Sequence, residues 1–371
     1  MIYLDSAATS LLKPPTVARA TAMAVRTMAS SGRGGHSAAM RAADTVFACR
    51  EAAAELFHVP EPERVVFTMN ATHALNIAIH SLVSPGDPVV ISGYEHNSVT
   101  RPLHALGAQV RVAESPLFDP EAAVSAFRRA LPGAKAAVCT MVSNVFGYLL
   151  PVREIAELCA AAGVPLIVDA SQAAGCVAFD AAALGAAFVA MPGHKGLLGP
   201  QGMGILLCFA QPKPLLCGGT GSQSVLQDMP EELPDRLEAG THNVPGIAGL
   251  LAGIRYLSAQ GVEHIERRER WLAQRLTAQL RAQPRLEVFA SPDPACQTAV
   301  LSVRCRDMDS ELLAQKLARY GIAVRAGLHC APVAHRTAAP EPVALQHGRG
   351  DRAHGVRVPR DPARGMTQIM Y

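Results

Sequence analysis

From residue 65 to residue 208 the chain alternates short apolar, β-branched runs with stretches of helical periodicity, and few folds accommodate that order. The runs fall at 65–68, 89–92, 136–142, 165–169, 187–191 and 204–208. Between them, 70–82, 98–106, 121–131 and 152–162 read as helices. Strands alternating with helices imply a mainly parallel sheet covered on both faces. The fold class is therefore α/β. Two more helices are expected over 16–30 and 42–57, separated by Gly32, Gly34 and Gly35.

The organisation changes near Thr241. Residues 246–283 carry a long helical pattern through Leu250, Ile254 and Leu257, then Trp271, Leu272, Leu276 and Leu280. Strands follow at 286–289 and 299–303, then a helix from Asp309 to Gly321 and a strand at 322–325. A chain of 371 residues is too long for one small domain. The expected division is a large domain over 15–245 and a smaller α+β domain made of 1–14 and 246–371. Beyond Ala331 the sequence turns rich in Pro, Arg and Gly and loses both periods. Pro340, Pro342, Pro359 and Pro362 interrupt helices and central strands alike. The abrupt break makes 338–371 an atypical ending, disordered or read in a shifted frame.

Bulk properties exclude some classes. The formal net charge of +3 gives no support for binding nucleic acid or an anionic membrane. Nine cysteines, an odd number, without a CxxC pair argue against a disulfide framework or a metal site. Cys139, Cys159 and Cys208 sit in apolar patterns and read as buried thiols in a reducing compartment. The N-terminus has no signal-peptide pattern and no apolar run reaches membrane-spanning length. The expected location is the cytoplasm.

Chemistry gathers where strands end. Met191-Pro-Gly-His-Lys-Gly places Lys195 in a glycine-rich loop just after a strand. A lysine amine has an ordinary pKa near 10.4 and needs a reason to react, which a Schiff base with pyridoxal phosphate supplies. The alternative is a solvated loop lysine. Asp169 closes the run Leu166-Ile-Val-Asp, where open parallel sheets bind ligands. A carboxylate there suits a protonated pyridinium nitrogen, though Asp is also a good helix cap. Gln172 is placed to bond the ring's phenolic oxygen. Ala71 and Thr72 open a helix after the strand at 65–68, offering backbone N–H groups and a hydroxyl to a phosphate. His96 and Asn144 each follow another strand end; His96 suits ring stacking and proton transfer.

In these motifs, and in their order from Tyr3-Leu-Asp-Ser-Ala-Ala to Cys330-Ala-Pro, the chain resembles the class V aminotransferases of fold type I. Within them it is most similar to the group II cysteine desulfurases and selenocysteine lyases. The resemblance implies Lys195 as the Schiff-base lysine, Asp169 as pyridinium partner, Gln172 on the phenolate oxygen and His96 as the stacking acid/base. It implies Thr72 and His194 on the phosphate and Asn144 against cofactor or substrate. Glu238-Ala-Gly-Thr-His-Asn resembles a segment that sends a threonine into the neighbouring subunit's phosphate site, which implies a homodimer sharing Thr241. Arg325-Ala-Gly-Leu-His-Cys-Ala-Pro resembles the loop that carries the nucleophilic cysteine, here Cys330. His329 and Arg325 are suited to lower that thiol's pKa. The implied reaction removes sulfur from cysteine, giving alanine and a persulfide on Cys330, with a sulfur-acceptor protein as possible partner. Other readings stay open: a selenocysteine lyase, an aminotransferase or epimerase with Cys330 incidental, or a cofactor-holding chain without turnover.

The sequence departs from the family twice. Pro192 stands where relatives place a phosphate-donating Ser or Thr, so that contact is missing or replaced, for instance from the Gly218–Ser222 loop. The tail lacks a legible final strand and helix carrying the arginine for the substrate carboxylate. Arg357 is the nearest look-alike, with Arg325 also on the substrate side and Arg349 and Arg352 as weaker matches.

Overall fold

The computed structural model describes residues 1–32, 34–338 and 343–346. Strand β1 (Ile2–Tyr3) and helices α1 (Pro15–Thr27) and α2 (Ser37–Phe57) precede the alternating region. That region runs β2 (Val65–Thr68), α3 (Ala71–Leu82), β3 (Pro88–Ser92), α4 (Asn97–Ala105), β4 (Gln109–Ala113), α5 (Pro120–Ala130), β5 (Ala136–Thr140), α6 (Val152–Ala161), β6 (Leu166–Asp169), β7 (Phe188–Pro192) and β8 (Gly204–Cys208).

The seven strands β2 to β8 form one sheet in the order β2-β8-β7-β6-β5-β3-β4. Strands β3 to β7 pair in parallel, and only β8 runs against its neighbours β2 and β7. The strands β2, β5, β6, β7 and β8 are buried at every residue. This is why they read as continuous apolar runs rather than alternating ones. Two apolar clusters, one on each face, fill the layers between sheet and helices. Among the described residues no helix is long and apolar enough to cross a membrane.

Helices α7 (Val244–Gln260) and α8 (Val262–Arg281) replace the single helix expected over 246–283. They break at Gly261, whose φ of 75° lies in the left-handed region that a side chain disfavours. Helix α7 packs on α1 and α2, and its Leu250, Ile254 and Leu257 join the larger core. Strands β9 (Leu286–Phe289) and β10 (Val300–Cys305), helix α9 (Ser310–Arg319), strands β11 (Ile322–Ala323) and β12 (Arg325–Ala326), helix α10 (Pro332–Ala338) and strand β13 (Val343–Gln346) complete the described chain. Strand β11 pairs with β1, so the chain's start is tied to its C-terminal part.

Strand β13 corrects the expectation that no strand follows Ala338. It lies between β12 and β10 in a four-stranded antiparallel sheet ordered β12-β13-β10-β9. Val343-Ala-Leu-Gln is too short to display a period of 2, and its place is set by two flanking strands. The prolines thought to forbid a strand, Pro340 and Pro342, precede it in sequence. The remainder of the atypical ending, with Arg349, Arg352 and Arg357, lies outside the described residues.

Beneath the sheet's β2 edge, Arg50 of α2 and Glu238 form a buried ion pair. Glu238 also accepts from the Phe67 amide at 2.6 Å, and Arg50 lies 4.5 Å from the Phe67 ring centroid. Arg50 and the imidazole of His242 hold the Glu238 carboxyl below its usual range against the opposing effect of burial. This pairing fixes the segment 238–243 on the sheet and leaves Thr241 exposed.

Candidate active site

The polar residues singled out in the sequence follow the carboxyl ends of β2, β3, β5, β6 and β7 on one edge of the sheet. Asp169 is the last residue of β6, in register with Thr140 of β5 and Ala190 of β7. It is buried, and one carboxylate oxygen accepts from the Ser171 amide at 2.9 Å. Lys195 stands in the loop after β7. That loop is closed by Gly199 donating to the Gly193 carbonyl at 2.7 Å, and Gly193 itself donates to Met203 at 2.8 Å. A Cβ on Gly196 would lie 2.2 Å from the Ala174 carbonyl, so only glycine lets the lysine loop seat on the turn that follows Asp169. The close approach sets Lys195 relative to Asp169.

Burial pushes the Lys195 amine below its usual pKa, and the Arg325 charge pushes the same way while Asp169, Cys176 and Asp5 oppose. The amine has no hydrogen bond or ion pair to a described residue. A largely desolvated amine without a partner is a group prepared to react with a carbonyl.

His96 caps α4. Its Nδ1 accepts from the Ser98 amide at 3.0 Å, so the neutral ring carries its proton on Nε2. Burial lowers its pKa; Asp169 opposes, while Lys195 and Arg101 add to the lowering. Thr72 is bonded to Ser98 Oγ at 2.8 Å, and Ser98 Oγ lies 2.9 Å from His96 Nδ1. The start of α3 and the His96 ring are thus joined through one hydroxyl. At α3, the Asn70 side chain caps the His73 amide at 2.9 Å, leaving the Ala71 and Thr72 amides for a ligand. His194 contacts Thr9 Oγ1 through Nδ1 at 3.0 Å, and burial with the charges of Lys195 and Lys13 holds its pKa down at about 4. Gln172 donates to the Ala7 carbonyl at 2.9 Å, joining the N-terminal segment to the site.

Three expected residues are placed in a less direct way. Arg325 makes a bidentate ion pair with Asp5, both distances 3.1 Å, and is therefore already partnered. Asn144 donates to the His329 carbonyl at 2.8 Å. Thr241 is exposed and belongs to the segment anchored by Glu238. The Gly218–Ser222 loop, considered as a substitute for the contact missing at Pro192, lies beside the same segment through the Gly240 amide and Gly219 carbonyl at 2.8 Å.

Cys330 is exposed and occupies a tight turn closed by the Ala331 amide and the Leu328 carbonyl at 2.9 Å. The central residues His329 and Cys330 have φ of 49° and 56°. Positive φ at both positions is the mark of a mirror-image turn, which favours Asn and Gly and costs a side-chain-bearing residue roughly 1–2 kcal/mol. The turn reaches the strand-end site: the Asn97 amide, next to His96, donates to the Cys330 carbonyl at 2.7 Å.

Sequence reasoning missed Glu95. It is fully buried beside His96, accepts from Ser92 Oγ at 2.5 Å and the Thr140 amide at 2.7 Å, and its Oε2 has no partner. Burial raises its pKa to about 8, with the Asp169 charge adding and the hydrogen bonds opposing. The folded state therefore keeps a proton that the unfolded chain loses near the ordinary value of 4.5. Stability from this group is present below that value and is lost as pH rises toward 8. Glu95→Gln should move the melting temperature in the variant's favour, relative to wild type, between pH 5 and pH 8. Parallel melting curves at the two pH values would contradict the assignment. The only sequence signal was an acid next to a predicted site residue, and nothing there reported its burial.

An open parallel sheet with a desolvated lysine, a buried aspartate and an amide-bearing helix start at its strand ends defines the pyridoxal-phosphate enzymes of fold type I. The chain belongs to one family among them, the class-V aminotransferases, whose model matches residues 2–357. It is 34% identical over 347 residues to a protein of Methanothermobacter thermautotrophicus named "Probable cysteine desulfurase", covering 89% of this chain and 84% of the relative. It is 32% identical over 351 residues to the cysteine desulfurase of Serratia proteamaculans, with 89% and 84% covered. Among solved structures it resembles the apo cysteine desulfurase of Thermococcus onnurineus, with TM-score 0.84, 29% identity, and 93% and 89% of the chains covered. Cysteine desulfurase CsdA of Escherichia coli gives TM-score 0.82 at 28% identity, with 93% and 89% covered.

Proposed function

We propose that this chain is a pyridoxal-phosphate-dependent cysteine desulfurase, with Lys195 holding the cofactor and Cys330 receiving the sulfur. The observation that carries the reading is the Asn97–Cys330 backbone bond, which puts an exposed thiol loop beside the His96, Asp169 and Lys195 cluster. The residues present fit the cofactor. The Lys195 amine is unpaired among described residues, one Asp169 oxygen is left for a pyridinium, and the Ala71 and Thr72 amides suit a phosphate. When bound, the group withdraws electrons from the substrate's carbon skeleton.

In this reading Asp169 keeps the cofactor nitrogen protonated, Gln172 and Asn144 lie on the ring and substrate side, and Thr72 and His194 hold the phosphate. His96, neutral with its proton on Nε2, is positioned to stack and to exchange a proton with the substrate. Cys330 Sγ forms a bond to the sulfur of cysteine as the substrate's Cβ–S bond breaks. The electron pair left on Cβ takes a proton, so alanine leaves and a persulfide remains on Cys330. A thiol or a sulfur-acceptor protein then removes the outer sulfur. The substrate-carboxylate arginine is proposed at Arg357.

The proposed division, 15–245 against 1–14 with 246–371, places the cofactor ligands in one part and Cys330 in the other. A cytoplasmic homodimer is also part of the reading. Its support is the anchored, exposed Thr241 and the apolar side chains Met23, Val25 and Phe47 exposed on α1 and α2. Sedimentation should give two chains per particle, and Thr241→Ala should weaken cofactor retention without lowering the apo protein's melting temperature. A fully loaded monomer would rule the shared site out. The function itself is tested by supplying cysteine, selenocysteine or alanine to the loaded protein with excess thiol reductant, which releases the persulfide sulfur as sulfide: equimolar alanine and sulfide from cysteine are expected. Turnover of selenocysteine alone, or amino transfer without sulfide, would replace the reading.

A further inference from the structure

The strand order of the large sheet reverses at β3, which has β4 on one side and β5 on the other. The helices follow: Val99 and Leu103 of α4 belong to one apolar cluster, Ala126 and Phe127 of α5 to the other. Such a reversal opens a crevice at the strand ends, where open α/β sheets bind ligands. The β3–β5 ladder stops at Ile91 and Val138, although β5 stays paired with β6 as far as Thr140 and Asp169. The Thr140 amide thus lies beyond the last rung from β3.

Glu95 supplies the rung that is missing. Its Oε1 accepts from the Thr140 amide at 2.7 Å and from Ser92 Oγ, at the end of β3, at 2.5 Å. One oxygen joins the two strands where their ladder ends. Glu95 also directly precedes His96, the cap of α4, so its side chain pins the turn that presents the His96 ring. Asp169 lies across β5, in register with the bridged Thr140. The second oxygen, Oε2, has no partner, and among the described residues no cation pairs with the carboxyl. A fully buried, unpaired carboxylate is costly. The acid, with its proton on Oε2, leaves Oε1 free to accept both bonds. Burial and the Asp169 charge favour that state.

We propose that Glu95 is a positioning residue for the reaction, bridging the ends of β3 and β5 through one carboxyl oxygen and so holding His96 in place relative to Asp169. The proposal rests on the reading of the site as a desulfurase in which His96 stacks on the cofactor and moves a proton. Glu95 touches neither cofactor nor substrate in this role and passes no proton of its own.

The test compares Glu95→Ala and Glu95→Gln in the full-length, cofactor-loaded protein. Glutamine keeps a neutral oxygen for both donors, and alanine keeps none. In Glu95→Ala the Thr140 amide should exchange with solvent about tenfold faster or more, as expected for loss of a buried bond. The absorbance band of the bound cofactor should shift as the stacked ring moves. For sulfide release from cysteine in excess thiol, kcat should fall roughly tenfold or more with KM unchanged, the scale of a misplaced catalytic group. Glu95→Gln should restore slow exchange, the wild-type band and kcat. If alanine prevents folding, Glu95→Asp, one methylene too short to span both donors, is read in its place with the same outcomes. A glutamine variant as slow as the alanine one overturns the bridge, since the carboxyl's proton or charge is then what matters. A raised KM with unchanged kcat overturns it as well, because that marks a substrate contact. So does wild-type exchange at Thr140 in the alanine variant. If the wild-type protein yields neither alanine nor sulfide from cysteine, the desulfurase reading falls, and Thr140 exchange with the cofactor band still decides the bridge.

Discussion

Replacing Lys195 with alanine removes the visible absorbance of the lysine-bound cofactor and lowers turnover by roughly 10³-fold or more, the scale expected when a covalent catalyst's anchoring group is lost. The same substitution leaves the apo protein at least as stable as wild type. The reason is the amine's situation. Burial depresses its pKa, so the folded state disfavours the proton that the unfolded chain holds at neutral pH. No described residue bonds to it, so alanine strands no partner. A role in packing predicts the reverse, with a lower melting temperature and cofactor still bound. Absorbance spectra and melting curves of the two apo and loaded proteins separate these outcomes, and a reducible lysine–cofactor adduct surviving in the variant would move the assignment to another lysine.

Cys330→Ala should keep the cofactor spectrum and lose sulfide release from cysteine by roughly 10²-fold or more, since the exposed thiol that receives the sulfur is gone and Cys176, the other thiol near Lys195, is buried. The melting temperature should not change, because the side chain is exposed and alanine meets the same positive φ as cysteine. Release of selenide from selenocysteine should fall less, because a selenol leaves more readily than a thiol. Among the described residues Cys217 is the other exposed cysteine, and it lies in the Gly218 loop region rather than against His96. Cys217→Ala therefore serves as the matched control and should retain wild-type rates. Sulfide release at an unchanged rate in Cys330→Ala would show that the thiol is incidental.

The sequence made the sheet legible wherever strands are buried on both faces. The run at 204–208 corresponds to β8 with the same bounds, and 65–68 to β2. Strand β4 escaped because it is the sheet's edge, and Gln-Val-Arg-Val is largely exposed rather than apolar. The single strand expected over 322–325 is two short pieces that serve different sheets, a split set by β1 and β13, which lie far away in sequence. The site was legible to the extent that its residues follow strand ends: Asp169, Lys195, His96 and Asn144 all do. Ser98, Glu95 and the Asn97 amide were not. The part of Glu95 depends on burial, that of Ser98 on its bond to Thr72 in another element, and that of the Asn97 amide on a backbone bond to Cys330 more than two hundred positions away. The ion pair of Arg325 with Asp5 was hidden for the same reason.

The most direct measurement is the mass of the Cys330 peptide after the loaded protein meets one equivalent of cysteine without reductant. The account predicts one added sulfur on Cys330, lost on treatment with a thiol, together with one alanine for each sulfur bound. An unmodified Cys330 peptide accompanied by one alanine for each cysteine consumed would contradict it.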